Sequence, residues 1–194
     1  MRAGFAIGDD YTEILRSNLT NAAPRRRVLA LRGMVRQGLV TPAQWVSAID
    51  DLDVDVRREA LNQVAYAASL DAAVVEAIER QLDDEDPLVV DGAIFALGEH
   101  LYAGAVERLC EIATSHDDAR CRESAIAALG AIGDDRARRV ILAALDDKPP
   151  VRRRAIVALS NFEGPDIDAA LERASEDRDW QVRAAVNQLG RDVD

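Results

Sequence analysis

The stretch Asp118 to Gly133, DARCRESAIAALGAIG, decides the fold. Its apolar residues Cys121, Ala125, Ile126, Ala128 and Leu129 recur at three- and four-residue spacing, which marks one face of an α-helix. Asp118 stands where a carboxylate accepts the orphan amides of a first helical turn, and Gly133-Asp134 signals the turn that follows. The phrase returns as Val56-Arg57-x-x-Ala60, Val89-Val90-x-x-Ala93, Val151-Arg152-x-x-Ala155 and Val182-x-x-Ala185, at intervals of 30 to 33 residues. Units of this period cannot bury their own apolar face and must stack, which predicts an extended array of helical hairpins.

With Ala60, Ala93, Ala125, Ala155 and Ala185 as anchors, positions −4, +1 and +4 give the same buried arc in each copy, Gln181 alone breaking the set. Leu61, Ile94, Ile126, Ile156 and Val186 fill its +1 position. The flank at −1 and +3 is mostly small (Gly92, Ala96, Ser124, Ala128, Ala158, Ala184), so it is expected to be the contact between repeats. Asp53, Asp86 and Asp118 lie seven residues before their anchors as helix caps, with Pro87 at a first helical position. Lys148 holds that slot in the fourth copy, with Asp147 just before it, and Asp177 and Asp179 flank it in the fifth. Shorter periodic segments near Pro42–Asp50, Asp71–Leu82, Ala105–Thr114, Asp134–Leu145 and Asp166–Ser175 supply the other helix of each hairpin. Upstream, Arg25 to Gln37 reads as a degenerate first inner helix and Tyr11 to Leu19 as a cap. Residues 1–40 are thus expected to cap five repeats in 41–194, all one continuous domain.

The pattern LxDxDxxVRxxAxxALGxxG, partial at Leu52 to Val64 and cleanest at Asp118 to Gly133, resembles the HEAT-like repeat of the bilin-lyase type over roughly residues 41–190. The resemblance implies an all-α, right-handed α-solenoid whose second helices line a concave surface. It also implies that the Arg after each Val bonds to loop aspartates. Arg57, Arg122 and Arg152 match that position; Val90 and Val182 depart, so the ladder is expected to break in copies two and five.

Composition narrows the function. Apolar residues make up 48% and aromatics 4%, which suits close-packed helices. With 35 acids against 24 bases the net charge is −11, unfavourable for a dedicated polyanion binder. Two cysteines are too few for a disulfide framework, the opening MRAGFAIGDDYTEILR has too short an apolar run for a secretory signal, and no 18-residue apolar stretch exists. A cytoplasmic protein without a membrane segment is expected. One enzymatic branch of HEAT-like proteins holds a di-iron centre on His-Glu pairs after the Val-Arg, but Arg58-Glu59, Asp91-Gly92, Glu123-Ser124 and Arg153-Arg154 contain no His. Cys110, His116 and Cys121 match no zinc spacing, and Cys121 fills a valine slot. No catalytic residue, metal or cofactor is expected.

The expectation is therefore a non-catalytic scaffold or adaptor that binds another protein. Positions two before and two after each anchor lie about 160–200° from the buried face at 3.6 residues per turn. They are Arg58 and Asn62, Asp91 and Phe95, Glu123 and Ala127, Arg153 and Val157, Arg183 and Asn187, and are expected to line the concave surface. Phe95 among charges has the make-up of an interface hot spot; otherwise Phe95 fills a gap beside Gly92, with Arg58 paired to Asp91 and Glu123 to Arg153. Trp180 is expected to seal the end of the stack. Two further readings stand beside this one. Nucleic acid would use the clusters Arg25, Arg26, Arg27, Arg32, Arg36 and Arg120, Arg122, Arg136, Arg138, Arg139, Lys148, Arg152 to Arg154. An accessory subunit of an enzyme is the namesake family's case, though no residue points to a bilin.

Overall fold

In a computed structural model of the protein, residues 9–191 are described. The opening Met1–Gly8, part of the segment read against a secretory signal, lies outside them, as do residues 192–194. The described residues form twelve α-helices and no strand. In chain order the outer helices are α1 (Asp9–Asn18), α3 (Pro42–Ile49), α5 (Ala72–Arg80), α7 (Val106–Ser115), α9 (Arg138–Ala143) and α11 (Pro165–Ala174). Alternating with them are the inner helices α2 (Pro24–Arg36), α4 (Val54–Val64), α6 (Pro87–Glu99), α8 (Ala119–Ile132), α10 (Pro149–Leu159) and α12 (Trp180–Arg191). None of the helices is long and apolar enough to cross a membrane.

Two compact units divide the chain, residues 1–89 and 90–194, the division falling inside α6. In the first, α2 and α4 pack together, α1 lies on α2, and α3 lies on α4 and α5. Leu31, Met34, Ile49, Leu61 and Ile78 fill its core. In the second, α8 packs on α7 and α10, and α10 on α12. Ile94, Leu97, Leu109, Ile126, Leu129, Ile141 and Ile156 are fully buried there. The carboxylate caps form as their spacing requires: Asp53 accepts from the Asp55 amide, Asp86 from Leu88, and Asp118 from Arg120. Cys121 is buried in its valine slot.

An arginine–aspartate ladder ties the inner helices α2, α4, α8 and α10 each to a later loop. Arg57 Nε donates to Asp84 at 2.7 Å, Arg122 Nε to Asp147 at 2.7 Å, and Arg152 Nη2 to Asp177 at 2.8 Å. In each case Nη1 turns back to carbonyls five or six residues earlier, on Asp51, His116 and Asp147 respectively. Arg27 makes the same set, to Asp51 and to the Asn21 carbonyl. The helix that reads as degenerate is therefore a complete inner helix. It anchors on Ala30, although Ala23 offers its N-terminus no side-chain cap. At α6 the ladder position is Val90, buried, as expected from the sequence.

The fifth copy is shifted by one residue from its sequence register. Asp179 accepts from the amides of Gln181 and Val182, so it is the cap of α12, and Arg183 Nη1 donates to the Asp177 carbonyl in the manner of a ladder arginine. The cap and the ladder arginine thus come one residue later than the sequence register, while Ala185 stays buried beside Val182. The cap carries the stronger constraint, since unpaired buried amides cost more than one misplaced methyl.

Repeats in the second unit approach through their glycines. A Cβ on Gly130 would lie 2.6 Å from the Ala158 Cβ and 2.8 Å from its Cα, and one on Gly98 would lie 2.9 Å from the Ala128 Cβ. The small flank predicted between repeats thus meets the glycine of the preceding Ala-Leu-Gly phrase. Gly33 in α2 meets only the flexible tips of Leu15. Gly130→Ala should accordingly destabilise by about 1–3 kcal/mol through overpacking, despite the gain of about 1 kcal/mol that alanine ordinarily brings to a helix. Gly33→Ala should not lower stability; urea midpoints of the two variants decide, and equal shifts would refute the close approach.

Burial makes the ladder sensitive to truncation. Arg152 is 3% exposed, so Arg152→Ala leaves the Asp177 carboxylate without its counter-charge and should cost about 3 kcal/mol. Hydrogen bonding from Arg152 holds Asp177 below its ordinary 3.8, and Arg122 does the same for Asp147. Such carboxylates bind fewer protons folded than unfolded. Their contribution is full above 3.8 and is lost as pH falls through the depressed value. Urea midpoints between neutral pH and about pH 3 should therefore fall less steeply for Arg152→Ala than for the unmodified chain.

Candidate functional site

The caps and ladder fix the rotation of each inner helix, and that rotation decides which side chains face away from the core. In the first unit, Asn62 is exposed on α4. Arg58 is half-buried and engaged by the Asp86 and Asp55 carboxylates. Beside them Glu59, nearly buried, accepts from Arg32 Nε at 2.7 Å and from Gln63, and the Arg32 hydrogen bond holds its carboxyl below the usual range. A cavity of about 180 Å³ elsewhere in this unit is lined by α1, α2 and α3; its strongest charges, Arg27 and Asp51, close on each other.

The second unit brings Asp91, Phe95, Glu123, Arg153 and Val157 onto one face. Phe95 is 38% exposed and Val157 46%, while the small Ala127 lies at the corresponding position of α8 between them. The step from large to small to large leaves a notch. A cavity of about 300 Å³ opens there, lined by Phe95, Gly98, Glu99, Ala127, Ala131 and Arg154 among others. Polar bonds between successive inner helices frame it: Ser124 Oγ donates to Asp91, and Arg154 reaches Glu123 at 3.4 Å. Glu123 is thus paired with Arg154 rather than Arg153, whose Nη1 donates to the neutral Gln181 Oε1 at 2.8 Å.

The register shift changes the last helix of this face. Arg183 turns to the loop, so Ala184 and Gln188 take the places expected for Arg183 and Asn187; Asn187 is exposed but displaced from the row. Trp180 does not seal the stack. It is 67% exposed at the first position of α12 and, with Arg153, Val157, Gln181, Ala184 and Gln188, borders a second cavity of about 260 Å³. Glu99, Arg154 and Trp180 were missed as members of the face. Counting from the Asp179 cap instead of the alanines would have found Trp180, and a count carried one turn past each +2 position would have found Glu99.

The sequence matches the family model for HEAT repeats over residues 42–130 and again over 106–190. No curated protein matches it. Among solved structures, an engineered protein is similar at 21% identity and a TM-score of 0.67, over 94% of this chain and 95% of that one. A designed armadillo repeat protein in complex with the peptide (KR)4 is similar at 17% identity and a TM-score of 0.68, over 93% and 98%. The Escherichia coli protein YibA gives 16% and 0.68, over 93% of this chain and 68% of its own. At these identities the likeness is one of fold, an α-solenoid. With two family matches that together span most of the sequence, the chain belongs to the HEAT-repeat family.

Proposed function

We propose that the protein is a non-catalytic scaffold that binds another polypeptide on the inner-helix face of its second unit. The carrying observation is the row Phe95, Ala127, Val157. Single exposed apolar side chains are ordinary, but Phe95 bordering one cavity and Val157 bordering the next, with the small Ala127 between them, make a row of apolar surface on one face. Aromatic anchors beside a pocket and ringed by charge are where interface energy concentrates. A designed armadillo repeat protein of similar fold holds a peptide, which supports a polypeptide as the ligand class here.

The arginines favour this reading over nucleic acid. Arg122 and Arg152 are committed to the ladder, Arg136 to Asp134, Arg138 to Asp166 and Arg154 to Glu123. A guanidinium that already shares its charge with an internal carboxylate releases little free energy by meeting phosphate. The second cluster read from the sequence is largely neutralised by the protein itself.

Crosslinking capture from the native host with the unmodified chain and with Phe95→Ala tests the proposal. The variant should lose more than about 1 kcal/mol of partner affinity, roughly fivefold in Kd, with a melting temperature within about 2 °C of the parent. Undiminished capture would sink the assignment of this face, as would a loss of several kcal/mol of stability. Passage through heparin at about 50 mM salt is expected; retention abolished by Arg153→Ala and Arg154→Ala would give the face to polyanions instead.

A further inference from the structure

The two cavities on this face of the second unit differ in charge, and that difference specifies the ligand more closely. Among the described residues, Asp91 at the α6 end is hydrogen-bonded to the neutral Ser124 and has no cationic partner, and Glu99, exposed at the helix C-terminus, has none either. Both negative charges are uncompensated, and the C-terminal dipole of α6 adds to that of Glu99. In the middle, Glu123 and Arg154 cancel. At the α10–α12 end, Arg153 is bonded to the neutral amide of Gln181, so its positive charge is uncompensated, and the exposed Trp180 borders the same cavity. The face therefore runs from negative through a neutral apolar notch to positive.

We propose that this face takes an extended polypeptide segment with opposite charges at its two ends: a basic side chain against Glu99 in the negative field of the α6 end, an apolar one in the notch beside Phe95, and a carboxylate at Arg153. The inference rests on the scaffold reading and adds the chemistry of the partner. Uncompensated charges select by complementarity, because a like charge placed against either end is repelled. The span sets the spacing. From α6 to α10 is two inner-helix steps at about 8–10 Å each. At roughly 3.3 Å per residue an extended chain covers that in five or six residues. A folded helix would need more than ten residues over the same distance at about 1.5 Å each, and its width would overfill a notch one side chain deep.

Fluorescence anisotropy with labelled dodecapeptides and the full chain tests this. One pair of probes carries lysine and glutamate about six residues apart around a central leucine, in both sequence orders. The controls keep the leucine but carry only Lys and Arg, or only Asp and Glu. One of the opposite-ended probes should bind about tenfold tighter than either uniform control. Arg153→Glu should invert the ranking and make the uniformly basic peptide the best ligand. Equal or tighter binding of a uniform peptide by the unmodified chain would overturn the proposal, as would a ranking unmoved by Arg153→Glu. If no probe binds while a host partner is still captured in a Phe95-dependent way, the extended-segment inference fails and the scaffold reading stands. Loss of both removes the scaffold reading as well.

Discussion

Everything in this molecule depends on a guanidinium held between two loops. The planar fork of Arg57, Arg122 or Arg152 presents Nε and Nη2 to a carboxylate on a later loop while Nη1 closes on the carbonyls that precede its own helix. One side chain thereby fixes the start of its helix and the distance to the next loop, which lysine, with a compact ammonium, cannot do. Hydrophobic burial supplies most of the free energy of stacking, but burial is tolerant of rotation. A bidentate ion pair is not, and it sets the angle at which each inner helix presents its outer face.

The ladder's one interior gap obeys the same physics. At α6 the arginine position is Val90, and in the loop before α8 the aspartate position is His116, whose Nδ1 accepts the Asp118 amide that an aspartate accepts in other loops. Cation and carboxylate are replaced together. A lone survivor would be a charge out of water with no counter-ion, whereas replacing both partners by uncharged groups is often neutral. The gap is thus a coherent substitution rather than a defect.

Much of the fold was legible because local and long-range signals coincide. Asp118 caps, Cys121 and Ala125 pack, Gly130 admits the next helix, and each role demands a residue type visible in the sequence. Legibility failed where two residues satisfy one signal. Asp177 and Asp179 both flank the cap slot of the fifth copy, so only the amides that Asp179 accepts reveal where α12 begins. Arg27 was hidden for the opposite reason: its helix lacks both the cap and the valine, yet keeps the arginine. Outward-facing residues were harder still, because a charge seen in sequence carries no record of its partner. Glu123 and Arg153 looked like a pair by spacing; the structure gives Glu123 to Arg154 and leaves Arg153 to a neutral amide.

On the proposed reading, that last distinction separates a binding face from its frame. Ion pairs closed within the protein fix geometry and offer a ligand little, since meeting one means breaking another. Charges answered only by neutral hydrogen bonds keep most of their field, and a partner that supplies the missing counter-charge gains without a compensating loss. In the second unit the closed pairs lie in the loops and at the centre of the face, and the open charges lie at its two ends with the apolar notch between them. A stacked helical repeat needs its arginines satisfied to stand. The charges met only by neutral groups, acidic at one end of the face and basic Arg153 at the other, are the ones that the proposed reading assigns to a ligand.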